Sequence, residues 1–443
     1  MSNSENSDEG NFDPRKFNPA EFQAFMKKYL EDPDSFETAE LAKAAGIPTN
    51  PEQLQQLFDM ISTSIGRTGE SEGVDWSVAL NQAKTIARQH NQAVSELARS
   101  EWLDSLNIAN LWLDQATEVA TVTADPKFLT RDLWVEDAMP LFKAISEPVA
   151  NRLATALSNH MAKNSPVELE GLMAEAGRLL RHAGGGMFAI QLGQSIGKLS
   201  ERVLAGGDIG LPIFAEQRPA FVPQNLAEYI SELGVPAQEA RLYLAVRELA
   251  HARLFKHSRW LRESVVSQIV AYASDLTIDE ERIMTAVAET DITNPDAMRS
   301  LLESGSMLAD RTAEQQRALE SIETVLALIE GWVDAVTQEA TRLLPEATRI
   351  GEAVRRRRAA GGPAELTFGT LIGLELRPKK VREATAMWLL TGQSLGAATR
   401  DSLWDHPDML PSMPEIEDPG KLLARLRGDG DDFDSELKNL LDS

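Results

Sequence analysis

The chain has 443 residues, 43% of them hydrophobic, a formal charge of −24 at pH 7 and no cysteine. That length exceeds one average domain and suffices for a substantial buried core, while the charge repels phosphate backbones and anionic headgroups and sets nucleic acid aside as a default partner. Without thiols there are no disulfides, cysteine-bound zinc, iron–sulfur clusters or thiol catalysis, so histidine and carboxylates are the remaining metal ligands.

Residues 1–18, rich in Ser, Asn, Asp and Glu, are expected to form a disordered acidic tail. In 19–95, stretches such as AEFQAFMKKYLEDP and NPEQLQQLFDMISTSI read as short amphipathic helices broken by Pro and Gly, a helical N-terminal region with a loop at Gly66–Asp75. WSVALNQAKTIARQH then opens a helical stretch with few interruptions to about Leu395, and the main domain is placed at 96–412. Residues 413–443 have a Gly-interrupted acidic middle and read as a second, mobile acidic tail. Period-two alternation is almost absent and is best at LTFGTLIGLEL, Leu366–Leu376, so the fold class is mostly α. No uninterrupted apolar run approaches the roughly 18–20 residues of a membrane span; the expectation is a cytoplasmic protein with no membrane partner.

In GGGMFAIQLGQSIGKLSERVL, Gly184–Leu204, small residues recur at Ala189, Gly193 and Gly197. Such a stripe lets another helix approach closely, while Gln191, Gln194, Lys198, Glu201 and Arg202 forbid a bilayer centre. A helix–helix contact inside a protein core is predicted.

Val235-Pro236 starts a helix, and RLYLAVRELAHARLF follows without a breaker. At 3.6 residues per turn Arg247 and His251 share a face, with Glu248 beside them. An H-E-x-x-H helix binds one zinc through two imidazoles while the neighbouring glutamate takes a proton from the metal-bound water. Here the first position is arginine, whose guanidinium has no free lone pair and carries a repelling charge. Taken by itself, R-E-L-A-H is also what an ion-paired helix face looks like. Farther on, TVLALIEGWVDAVTQEA, Thr324–Ala340, is an amphipathic helix that puts Glu330 and Asp334 one turn apart. In glutamate-type zinc peptidases a second helix carries this E-x-x-x-D spacing.

RLYLAVRELAHARLFKHSRWLRE, EGWVDAVTQEATRLLPEATRIGEAVRRRRAAGGPAELTFGTLIGLELRPKKVREA and LWDHPDMLPS, together with LAGGDIGLP, resemble the actinobacterial zincin-like metallopeptidase-related family. Its members are labelled zinc-dependent metalloprotease or deazaflavin-cofactor-biosynthesis-associated. The resemblance runs from about Trp102 to Pro411 and implies a zincin-like helical domain. It implies Glu248 at the general-base position, His251 at a zinc-ligand position, Glu330 as a further ligand, and Asp334 as the carboxylate that braces a ligand. Arg247 departs from the motif at the first ligand.

Without a metal, Glu248, Glu330 and Asp334 would crowd up to three negative charges together, which is costly unless a cation replaces the zinc. Arg247 is expected to pair with Glu330 as that cation, so no cofactor is expected unless zinc still occupies the family site. His257 lies on a different helical face from His251 and is expected at the surface or a helix end. Trp260 and Trp332 are expected to pack around the pocket. In EAVRRRRAAGG, Glu352–Gly362, the arginines suit a helix C-terminus and acidic neighbours better than a nucleic-acid patch, and LRPKKVRE is read the same way. No phosphate loop follows a strand and no G-x-S-x-G elbow occurs. The functional expectation is a non-catalytic pseudopeptidase that binds or scaffolds a polypeptide. The alternatives are an active zinc metallopeptidase or hydrolase with an altered metal site, and a helical interaction module without a site.

Overall fold

A computed structural model describes residues 74–163, 185, 186, 188–276, 311–360, 369 and 379–428, with the side chains of 153–163 excepted. It contains helices α1 (Trp76–Arg88), α2 (Glu96–Ala116), α3 (Arg131–Lys163), α4 (Pro223–Leu233), α5 (Ala237–His257), α6 (Arg259–Asp275), α7 (Ala313–Ala340), α8 (Ala347–Ala359), α9 (Val381–Leu395), α10 (Ala397–Ser402), α11 (Met413–Glu417) and α12 (Pro419–Arg427). Residues 188–200 are helical as well. The strands are two residues each, β1 (Lys127–Phe128) and β2 (Ala220–Phe221), paired in parallel. The fold is mostly α, as the periodicity predicts. No described helix is long and apolar enough to cross a membrane.

The described residues divide into two compact units, one with those of 74–78 and 149–191 and the other with those of 79–148, 192–276, 311–360, 369 and 379–428. In the first, Trp76 meets Phe188 edge-on at 6.5 Å. The second unit holds all of the candidate site.

At its centre is α5. Gly234, at φ 63°, ends α4 in the left-handed conformation that glycine adopts without strain, and Pro236 precedes α5 where no intrahelical acceptor awaits its missing N–H. Residues Leu242–Val246 and Glu248–Phe255 are all buried, so α5 is a core helix wrapped by α2, α4, α6, α7 and α8. The companion α7 begins at a capping box, Thr312 with Gln315, in which side chains satisfy otherwise unpaired backbone donors. It packs against α5 and α9, and its buried run Leu326–Thr337 carries Glu330 and Asp334 into the interior.

Residues 204–206 run antiparallel to 220–222, with Gly206 N–H donating to Ala220 O and Val222 N–H to Leu204 O, each at 2.9 Å. This pairing lays the LAGGDIGLP segment over α5. The predicted contact of the small-residue stripe is present: a β-carbon on Gly193 would lie 2.5 Å from Ala79 O, and one on Gly197 2.8 Å from Ile86 Cβ, both on α1. At the other end, part of the segment read as an acidic tail is folded. Residues 413–427 form α11 and α12 against α9, with Ile416 and Leu422 buried, because Ser412 with Glu415 and Asp418 with Gly420 cap the two helices. Apart from Gly369, the strand candidate Leu366–Leu376 lies outside the described residues, as do 1–73 and 429–443.

Candidate functional site

Arg247, Glu248 and His251 project from α5, and Glu330 of α7 meets Arg247 and His251. The one-turn spacing puts His251 beneath Arg247, with His251 Nδ1 3.2 Å from Arg247 O. Glu330, 2% exposed, is the hub. Its Oε2 accepts from Arg247 Nη2 at 2.5 Å, and its Oε1 lies 3.1 Å from His251 Nε2 and 3.0 Å from Arg358 Nη2 of α8. Burial pushes the Glu330 carboxyl up, but Arg358, Arg247 and His251 together outweigh it and hold the group well below the usual carboxylate range. The expected Arg247–Glu330 pair is therefore present in monodentate form, because the second oxygen is taken by His251 and Arg358.

Burial keeps the His251 imidazole below its ordinary pKa, with Arg247 and Arg358 adding to the effect against the pull of Glu330. In the neutral ring one nitrogen carries the proton. A carboxylate is a stronger acceptor than a peptide carbonyl, which assigns the proton to Nε2 and its donation to Glu330. Glu248 is also buried, and its Oε2 accepts from Gly207 N–H and its Oε1 from Ala220 N–H, both at 2.9 Å. Burial pushes its carboxyl up to about 8, against these backbone donors.

Three glycines of the overlying segment face the side chains of the site. A β-carbon on Gly206 would stand 2.9 Å from Glu248 Oε1, one on Gly207 2.5 Å from His251 Cγ, and one on Gly210 2.7 Å from Arg358 Nη2 and 3.1 Å from Glu330 Oε1. Gly210, at φ 71°, also adopts a backbone conformation that other residues resist. The segment is fastened by Asp208, whose carboxylate takes both Arg357 guanidinium nitrogens, at 2.6 and 3.0 Å, and Leu204 N–H at 3.0 Å. Arg358 Nη1 also donates to Asp208 O. Beneath it, Leu204, Asp208, Tyr229, Arg247, His251 and Arg357 are among the side chains around a cavity of about 20 Å³, room for one or two waters.

Of the predicted residues, Arg247, Glu248, His251 and Glu330 converge. Asp334 does not brace His251; it accepts from Gln338 Nε2 at 3.0 Å and from Arg355 Nη1 and Thr385 Oγ1 at 3.4 Å, because one further turn along α7 brings it under α8 and α9. Trp332 and Trp260 do not border the cavity. Two residues beyond Glu330 a helix has turned about 200°, so Trp332 points the other way, donating to Asp401 Oδ1 at 2.9 Å and packing edge-on to Trp404. Trp260 Nε1 donates to Trp404 O. His257 pairs with Asp405 at 2.8 Å. Sequence reasoning missed Arg358, Arg357, Asp208 and the three glycines, although RRRR and LAGGDIGLP were both conspicuous.

His251 Nε2 and Glu330 Oε1 are separated by nearly the edge of a zinc tetrahedron, about 3.3 Å for bonds of 2.0–2.1 Å. The donor set nevertheless does not fit a catalytic zinc. Two guanidiniums stand on the Glu330 oxygens, and among the described residues no group of three or more His, Cys, Asp or Glu side chains is placed around one point.

No curated protein matches the chain. Its fold is similar to the crystal structure of a candidate hydrolase with a novel fold from Chloroflexus aurantiacus, at a TM-score of 0.56 and 20% identity over 80% of this chain and 99% of that one. The family model described as zincin-like metallopeptidase matches residues 74–423, which contain every residue of the site, and the chain belongs to that family.

Proposed function

We propose that this family member is a non-catalytic pseudopeptidase, a protein of the cytoplasm that binds or scaffolds a polypeptide at the former catalytic site. The observation that carries the reading is Glu330 held between Arg247 and Arg358 with His251 Nε2 on its second oxygen. Two guanidiniums supply the positive charge that a metal would give, and a carboxylate so neutralised has little affinity left for a cation.

The reading is tested with a quenched-fluorescent peptide library, the unmodified chain and Glu248→Gln, with and without added zinc. The expected result is equal background in all four reactions. Cleavage that requires zinc and is lost in Glu248→Gln would overturn the proposal and establish a metallopeptidase.

A further inference from the structure

The cavity beside the Arg247–Glu330 pair has hydrogen-bond donors to spare. Among the described residues Arg247 makes one side-chain hydrogen bond, from Nη2 to Glu330, leaving the rest of its five-donor fork. Tyr229 lines the same cavity, and its hydroxyl is buried without a partner. Buried polar groups are almost always satisfied, so an orphaned hydroxyl next to an underused guanidinium points to an occupant that accepts hydrogen bonds.

Charge narrows the occupant. Arg247, Arg357 and Arg358 face the carboxylates of Asp208 and Glu330, and with Glu248 kept protonated by burial one positive charge is in excess, inside a chain of net charge −24. Asp208 also lines the cavity, but both its oxygens are engaged by Arg357. Shape narrows it further. As it stands the cavity has room for one or two waters, which a carboxylate would displace on entering, and Leu204, Phe221, Leu226, Leu244 and Val354 make up its apolar lining.

We propose that this cavity is a carboxylate site, in which the spare Arg247 N–H groups and the Tyr229 hydroxyl hold the carboxylate of a small aliphatic acid or of a polypeptide C-terminus. For the chain-end form the inference rests on the polypeptide binding proposed above and specifies which part of the partner enters the site.

The test is calorimetric titration of the full chain with butyrate and butyramide, and with an acetylated peptide ending in alanine as free acid and as amide. Each free acid is expected to bind at least about tenfold more tightly than its amide, a difference of about 1.4 kcal/mol. Tyr229→Phe, which removes only the orphaned oxygen, is expected to lose that preference without losing thermal stability. Butyrate binding with an inert peptide acid assigns a small-acid site; a peptide acid bound more tightly than butyrate assigns a chain-end site. Equal binding of acid and amide, no binding at millimolar ligand, or an unaltered preference in Tyr229→Phe overturns the carboxylate site. Equal binding of the two peptides would leave the polypeptide-binding proposal standing, whereas zinc-dependent cleavage would remove that proposal without altering the butyrate result.

Discussion

Replacing Gly207 by alanine puts a methyl group 2.5 Å from His251 Cγ, 2.7 Å from Nδ1 and 2.9 Å from Cβ. The ring has nowhere to turn, since Nε2 is tied to Glu330 and Cβ belongs to a buried helix. The overlying segment must therefore lift, and Gly207 N–H leaves Glu248 Oε2. Overpacking of this kind costs about 1–3 kcal/mol, and stranding the carboxyl oxygen adds about 1–2 kcal/mol. The smaller entropy of the unfolded alanine chain returns about 0.4–1 kcal/mol. A net loss of about 2–3 kcal/mol is expected in urea unfolding followed by tryptophan fluorescence, with Trp332, Trp388 and Trp404 clustered as reporters. In a His251→Ala background the same glycine substitution should lose most of its penalty, a coupling of about 1–2 kcal/mol. A Gly207→Ala chain within about 0.5 kcal/mol of its parent, the range of an ordinary surface change, would refute the packing of this segment on the imidazole.

Two further outcomes follow from the site's charges. Glu248 binds its proton more tightly in the folded chain, about 8 against an ordinary 4.5, so its contribution to stability is full below 4.5 and is lost as pH rises through about 8, by up to about 5 kcal/mol. Relative to the unmodified chain, Glu248→Gln should gain stability steadily between pH 5 and 9, as read in paired urea titrations; parallel profiles would contradict the buried, protonated carboxyl. Arg357→Ala strands the buried Asp208 carboxylate and should cost about 2–4 kcal/mol, with much of the loss recovered in Arg357→Ala with Asp208→Asn. Additive single losses would mean that the pair does not fasten the segment.

What the sequence made legible was periodic or local. Pro236 and the unbroken apolar pattern after it located α5, and the i,i+4 rule placed Arg247 above His251 without any knowledge of the fold. The E-x-x-x-D spacing on α7 led to Glu330, and charge balance alone suggested its pairing with Arg247. The errors come from rotation about the helix axis and from the partner elements. Trp332 is next but one to Glu330 in sequence and on the other side of the helix, in the Trp388–Trp404 cluster. Asp334 shares the face of Glu330, but α8 and α9 provide its partners, and no spacing rule names them. Arg357 and Arg358 read as a helix end pairing with acidic neighbours; that these are Asp208 and Glu330, 149 and 28 residues distant along the chain, depends on tertiary packing alone. LAGGDIGLP entered the sequence reading through the family resemblance, and the tight fit of its glycines over Glu248, His251 and Glu330 appears only once the segment is paired with β2.

The central claim is that guanidinium groups have replaced a metal at Glu330. It is tested most directly by elemental mass spectrometry of the untagged chain purified without chelator, beside Arg247→His, each after dialysis against zinc. The account predicts negligible zinc in the unmodified chain and zinc approaching one per chain in the variant, where two imidazoles and Glu330 restore three donors. Zinc near one per chain in the unmodified protein would contradict it.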